Sequence, residues 1–497
     1  MHRTMTAMRS VLLGAAAAAI FLTTTYAQIN DSIRGPASEA NHFIETPKGW
    51  VHPKTPWGEP DITATLNMMQ AAGIPLERCA GARGPCDPNK VWRTEAELKQ
   101  AIDQAAGRGD RGRQLIAEGN FGAALLAGVT DPATPQRQTT LIVDPPNGQL
   151  PALTPEGKKR ALQMRSGWSL PGESPSYDGP QDFDSWDRCT TRGMPSSMMP
   201  YRYNGGFRIW QSPGVVVFEL EMIHDARVIY TDGRRHPGSA IKGYMGEAVG
   251  HWEGNTLVVE TTNYKGGHAP MINLAVVGSP AGNRFPQSDQ MKTTERITRL
   301  NNDMWLYEIK TEDPVILTGP FTVRYPMKND PSYEWWEYAC HEGNSIVPNY
   351  TNTSRHERAN PVQETAVPAT EPPPPGPPGA GGTTAKPAKI SADMAKQLAG
   401  RWVGRPQIKT IDYDIEIEFT ANPDGTVIGR LIRTTLPQEK PINQPFRNFR
   451  IGGRQMNWTF PNTQEWSFTG QLADDGSAIT GNTTSAQGGI PLTFKKR

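Results

Sequence analysis

Between residues 207 and 338 the chain is cut into short runs of alternating apolar and polar residues, each closed by a turn sequence. That rhythm constrains the fold more than any other feature, because a period of two belongs to a strand with one buried face. Residues 247–252 and 256–264 flank Glu253-Gly254-Asn255, and residues 292–300 and 304–311 flank Asn301-Asn302-Asp303. Both spacings are those of hairpins. Residues 215–230 read as one long strand. Val216, Phe218, Leu220, Met222, His224, Ala226 and Val228 fall on one face, and Glu219, Glu221, Asp225 and Arg227 on the other. With 49 Gly and 45 Pro among 497 residues, long helices are a poor framework. The expected fold is mainly β, with an antiparallel barrel or strongly twisted sheet as the main domain.

A few helices accompany the strands. Thr94 and Glu97 form a capping box ahead of an apolar stripe of Leu98, Ala101, Ile102 and Ala105, with Gly107 suited to the helix end. Thr154-Pro155-Glu156 starts another, Thr as cap and Pro at the first helical position. Residues 138–143 read as a strand stopped by Asp144-Pro145-Pro146. Residues 28–90, rich in Pro, Gly and polar side chains, read as an extended N-terminal arm, and 91–360 as the main β-rich domain. Residues 361–390 are a Pro/Gly-rich linker. Beyond it, Tyr413, Ile415, Ile417 and Phe419 alternate with Asp414, Glu416 and Glu418, with turns at Asn422-Pro423-Asp424-Gly425 and Asp474-Asp475-Gly476. Residues 391–497 are therefore expected to form a small antiparallel β-barrel.

The N-terminus carries an address. Arg3 and Arg9 precede an apolar stretch over residues 11–22, and Thr25-Tyr26-Ala27 supplies a small-x-small cleavage site. This is the pattern of a signal peptide over residues 1–27, too short in its apolar core for an ordinary membrane span. The expected mature chain, cleaved near Ala27, is periplasmic or secreted and has no transmembrane segment. Its formal charge falls from +1 to −1 as Arg3 and Arg9 leave, which gives no electrostatic footprint for nucleic acid. Four cysteines, Cys79, Cys86, Cys189 and Cys340, read in that compartment as two disulfides. Three pairings are possible, and the short flexible segment between Cys79 and Cys86 favours 79–86 with 189–340.

Two resemblances add to this. Residues 398–404, 424–429, 468–476 and 487–494 resemble a small accessory β-barrel module of exported bacterial proteins, often found beside a hydrolase domain. Its turn and core motifs imply a fold and no chemistry. Residues 50–358 resemble an exported bacterial protein family without an assigned activity. Thr55-Pro56-Trp57-Gly58-Glu59-Pro60-Asp61, Glu221-Met222-Ile223-His224-Asp225-Ala226-Arg227, Trp252-Glu253-Gly254-Asn255 and residues 338–344 carry that resemblance. It includes Cys189 and Cys340 but not Cys79 and Cys86, and so implies 189–340 as the family's own bridge.

The candidate chemistry centres on Tyr338-Ala339-Cys340-His341-Glu342-Gly343-Asn344, at the end of the strand-like run Glu334-Trp335-Trp336-Glu337-Tyr338. Cys340 beside His341 offers a nucleophile and base, but neighbours on a strand point to opposite faces and an oxidising compartment favours a disulfide. His341 and Glu342, held by that bridge, are candidate catalytic groups or members of a surface loop. His224 is either a hydrogen-bonded core imidazole or an acid/base group facing a cavity. Asp225 and Arg227, His251, Glu295 and Trp336 are candidate ligand contacts; Asp225 and Arg227 read equally as a surface ion pair. No histidine pair has metal-ligand spacing, and no cofactor motif is present, so neither metal nor cofactor is expected. The leading expectation is an exported protein handling a small molecule or saccharide, with cofactor-independent hydrolysis or elimination as its chemistry. The alternative is a non-catalytic binding or envelope-associated module.

Overall fold

The computed structural model describes residues 46–497, except 81–85, 119–135, 174, 202, 274–275, 277–278, 361–389, 409–410, 424, 436–441, 462–465 and 486–487. The signal peptide, residues 28–45 of the arm and all but the last residue of the linker lie outside the described residues.

Two β-barrels make up the described chain. The first uses β1 (Ala64–Asn67), β2 (Ile142–Asp144), β3 (Gly206–Ser212), β4 (Val215–Leu220), β5 (Ala226–Tyr230), β6 (Glu247–Glu253), β7 (Thr256–Thr262), β8 (Lys292–Arg299), β9 (Met304–Glu312) and β10 (Phe321–Asn329). Strands β3 to β10 follow one another around the wall, and β1 closes it by pairing with both β3 and β10. Every pairing is antiparallel except β5 with β6. The closing strand comes from the segment expected to be an extended arm. Strand β2 adds to β10 at its other end, Ile142 opposite Val323.

The two hairpin spacings are found where the turn residues place them, Gly254 having φ +60° between β6 and β7. Residues 215–230 are different. The single strand expected there is a hairpin: β4 and β5 run antiparallel, with Glu219 opposite Ala226. The chain reverses through Glu221-Met222-Ile223-His224-Asp225, which holds no glycine, proline or asparagine to announce a turn. Ile223 (φ +62°) and His224 (φ +54°) adopt left-handed backbone, a conformation costly for a non-glycine residue and more so for a β-branched one. The reversal changes the alternation phase. Val216, Phe218 and Leu220 point inward from β4, but Arg227 and Ile229 do so from β5, while His224, Ala226 and Val228 face out.

The barrel interior is packed with side chains. Trp305, Tyr307, Ile309, Phe321, Val323, Tyr325, Phe207 and Phe218 expose 1% of their surface or less, too little for a water-sized void beside them. One ion pair sits among them. Arg227 donates through Nη1 to Oε1 of Glu295 (2.7 Å) and through Nη2 to its other oxygen, and Tyr307 donates to the same carboxylate (2.6 Å). Burial works against the Arg227 charge, but Glu295 outweighs it and holds the guanidinium above its ordinary value. Arg227 and Glu295 are thus a core pair, neither a surface pair nor accessible ligand contacts.

The helices are α1 (Glu95–Ala117), α2 (Pro155–Gln163), α3 (Ile346–Ala359) and α4 (Ala392–Leu398). The capping box forms: Thr94 N–H donates to Glu97 (2.8 Å) and Glu97 N–H to Thr94 Oγ1 (3.3 Å). Helix α1 then continues past Gly107, expected as its end, and through Gly109 and Gly112, although each glycine in a helix costs about 1 kcal/mol. Thr154 caps α2 by accepting the Gly157 N–H, with Pro155 opening the helix.

The second barrel contains β11 (Gly400–Pro406), β12 (Ile415–Ala421), β13 (Val427–Thr434), β14 (Gln444–Pro445), β15 (Arg447–Gly452), β16 (Gln455–Thr459), β17 (Ser467–Leu472), β18 (Ala478–Ser485) and β19 (Gly488–Lys496). The sheet runs from β14 to β15, two strands separated in the chain by Phe446 alone, so it curls almost shut. Trp458 fills the centre, stacked on Phe446 at 4.7 Å and on Phe468 at 4.3 Å. The expected alternation holds, with Tyr413, Ile415, Ile417 and Phe419 all buried.

The barrels are docked to each other. Ser169-Leu170-Pro171-Gly172-Glu173 lies between them. Trp466 Nε1–H donates to Ser169 O (2.9 Å), and Tyr413 O–H to Pro171 O (2.9 Å). Gly172 (φ +76°) lies so close to the second barrel that a Cβ there would sit 2.9 Å from Ile415 Cδ1. Glu173 turns back to pair with buried Arg284 of the first domain. Lys158 reaches Asp412 (3.2 Å), and Glu357 of α3 pairs with Arg447.

Candidate functional site

Both disulfides are present, Cys79–Cys86 and Cys189–Cys340, and the structure has no free cysteine. Cys340 is therefore a tether and not a nucleophile. Residues 334–338 are not a strand; they run without ladder partners across the barrel end and lead into the bridged turn. The bridge joins this loop to the turn at residues 186–189, with Cα atoms 5.6 Å apart. Asn344 reinforces it by donating to Asp187 O (2.9 Å) and Cys189 Sγ (3.1 Å).

Between the tethered loop and that turn lies a cleft of about 560 Å³. Its walls are aromatic: Trp168 and Trp186, stacked at 6.4 Å, with Tyr203 and Tyr338. Burial and the neighbouring Tyr203 phenol push the Tyr338 phenol up to about 12, so it stays protonated. Glu337 and Glu342 lie exposed on the rim, and Asn204 and Asn344 add carboxamides. Apolar ring faces thus stand beside a few polar groups.

The turn behind the cleft is held by buried carboxyls. Asp184 accepts the backbone N–H groups of Trp186 (2.9 Å) and Asp187 (2.8 Å) and the Asn283 amide (3.0 Å). Asp187 accepts the Gly167 N–H, fixing the residue before Trp168. Burial raises both carboxyls above the ordinary range, and for Asp187 the Asp184 charge raises it further.

The β4–β5 turn borders the same region. His224 Nε2 accepts the backbone N–H of Tyr338 (3.1 Å), so this nitrogen carries no proton. Asp225 is partly buried and accepts from Thr191 Oγ1 (2.7 Å). Burial pushes its carboxyl up to about 6, against the pull of Thr191, Arg227 and Arg192.

The candidate residues thus separate. Glu342 lines the cleft, His224 supports its wall through Tyr338, and Asp225 is turned to Thr191 outside the lining. His341, although adjacent in sequence, is exposed and outside the lining. His251 lies on the outer face of β6 against Glu253 (3.3 Å), and Trp336 is 61% exposed and also outside the lining. Arg227 and Glu295 are sealed in the barrel. Trp168, Trp186, Asp187, Tyr203 and Asn204 escape sequence reasoning, because they come from turns that only the fold gathers. The position of Cys189 within this group was the one available signal. Among the described residues no group of three or more His, Cys, Asp or Glu side chains is placed to hold a metal ion. Nor, among them, is any helix long and apolar enough to cross a membrane.

No family model matches the chain, and no curated protein matches it. Among solved structures, the chain is similar to a protein of unknown function from the DUF3598 family of Nostoc punctiforme. The identity is 9% over 59% of this chain and 87% of that one, with a TM-score of 0.12, and at that value the likeness carries no argument.

Proposed function

We propose that the protein is exported and binds a small saccharide in the cleft between the tethered loop and the turn at residues 186–189. The observation that carries this reading is the wall of Trp168, Trp186, Tyr203 and Tyr338 beside Glu337, Glu342, Asn204 and Asn344. Ring faces take the apolar side of a sugar, and the carboxylates take its hydroxyls. Two disulfides and the signal-peptide pattern support export. The reading is of binding rather than turnover. His224 has Nε2 committed to a backbone N–H, and His341 stands outside the lining.

Trp168 and Trp186 make the site its own reporter. Full-length protein screened on a glycan array, then titrated with the best neutral sugars, should show a saturable change in tryptophan fluorescence. Tyr203→Ala should weaken that binding by about tenfold, as loss of one stacked ring does. Absence of any glycan binding, or binding that Tyr203→Ala leaves untouched, rejects the reading.

A further inference from the structure

Arg192 is a buried cation with no carboxylate in direct contact; Asp225 is the acid its charge reaches. Its side chain is 1% exposed and sandwiched between aromatic rings, its Cζ lying 4.5 Å from the Trp186 centroid and 4.1 Å from that of Tyr201. Nη2 donates to Asn273 Oδ1 (2.9 Å), but Nε and Nη1 have no acceptor among the described residues. The Tyr201 hydroxyl, beside the guanidinium and wholly buried, also finds no acceptor for its proton. No carboxylate among the described residues lies at ion-pair distance from Arg192; the nearby Asp225 is turned to Thr191. The Tyr201 oxygen is the acceptor nearest the guanidinium, and beyond it the buried Arg192 donors and the Tyr201 proton find no further acceptor among the described residues. Such groups are costly to leave unmade, and a buried charge is ordinarily paired.

This donor set adjoins the cleft. Trp186, the ring on one side of Arg192, is a cleft wall. Tyr201, on the other side, packs at 6.3 Å against Tyr203, a second wall residue. The Arg192 charge also reaches the Tyr338 phenol, which hydrogen-bonds to Tyr203. Tyr203, 36% exposed, is the ring that stands between the cleft and the donors.

We propose that Arg192 and Tyr201 form an anion subsite at the base of the cleft, so that the ligand is an acidic sugar whose carboxylate they receive. The proposal rests on the saccharide reading of the cleft. A planar carboxylate offers two acceptors to the unsatisfied guanidinium nitrogens and the Tyr201 proton, and in so dry a site a charge-assisted hydrogen bond is strong. A neutral hydroxyl would accept but bring no charge to the guanidinium.

The test titrates the full-length protein with glucose, glucuronate and benzoate, following tryptophan fluorescence and melting temperature. Glucuronate should bind about tenfold or more tightly than glucose, the margin one charge-assisted hydrogen bond supplies. Arg192→Met, which keeps the length between the two rings and removes the charge, should abolish the preference. Tyr201→Phe changes a single oxygen and should reduce it, and it keeps the test open if Arg192→Met does not fold. Equal binding of glucose and glucuronate overturns the anion subsite and leaves the saccharide cleft standing. A preference that survives both variants overturns it as well, because the anion then sits elsewhere. Benzoate binding that depends on Arg192, with neither sugar bound, upholds the subsite and rejects the saccharide reading. If neither glucuronate nor benzoate binds, the subsite is overturned.

Discussion

Asp225 is a carboxylate the fold keeps at a cost, and replacing it by asparagine measures that cost. Its ordinary value of 3.8 rises to about 6 in the folded chain, mainly because burial disfavours the charged form. At about 1.4 kcal/mol per pH unit, the difference is worth about 3 kcal/mol. The sign follows from the protons bound. Between about pH 4 and 6 the folded carboxyl holds a proton that the unfolded one has released, so stability falls as pH rises through this window. Above it the full penalty is present in the wild type; below it both states are protonated and the penalty vanishes. Asp225→Asn removes the titration and keeps an acceptor for Thr191 Oγ1. Urea unfolding of the two proteins should show the variant more stable by about 3 kcal/mol near pH 7.5 and by about nothing near pH 4. A difference that stays flat across that range, or a variant less stable near pH 7.5, refutes the assignment of the strain to a buried charge.

Other outcomes can be checked in the same way. Glu295→Ala leaves Arg227 buried and unpaired and should cost about 3–5 kcal/mol in urea unfolding, whereas Arg227→Met with Glu295→Leu should recover most of it. Removing the Cys189–Cys340 bridge, which spans 151 residues, should cost about 5 kcal/mol, against about 2–3 for the seven-residue Cys79–Cys86 loop. Equal losses in thermal or urea unfolding would contradict the loop-closure account. Tyr413→Phe leaves Pro171 O without its donor and should cost about 1–2 kcal/mol. The same change should speed amide exchange at Gly167 and Trp168 while sparing the centre of the second barrel.

Much of this fold is legible in the sequence because its turns are made of residues that need to be there. Gly254 between β6 and β7 and Asn301-Asn302-Asp303 between β8 and β9 fix two hairpins and their registers. The alternation of Tyr413 to Phe419 fixes a wall of the second barrel. The reading fails at residues 221–225, where the chain reverses on His224 and on Ile223, a β-branched residue that disfavours left-handed backbone. Nothing local announces such a turn; tertiary contacts impose it, including the buried Glu221 carboxylate that accepts from Asn204 (2.6 Å) and Tyr333. One missed reversal then misplaces every later side chain on that strand, which is why Arg227 reads as a surface residue and His224 as a core one. The site is less legible than the fold. Its tethered side is visible as Cys340 and Glu342, but its opposite wall comes from irregular turns whose positions depend on the closed barrel.

The way the two barrels grip residues 169–173 changes what the Pro/Gly-rich stretch between them is for. Docking through Trp466, Tyr413 and Arg447 is a binding reaction within one molecule, and the connecting chain only raises the local concentration of one partner near the other. Cleavage within residues 361–389 should therefore give two fragments that still migrate as one species at micromolar concentration. They should part only on dilution or in mild denaturant. The cleft would survive such a nick, since Trp168 would remain pinned by a barrel no longer covalently attached to it.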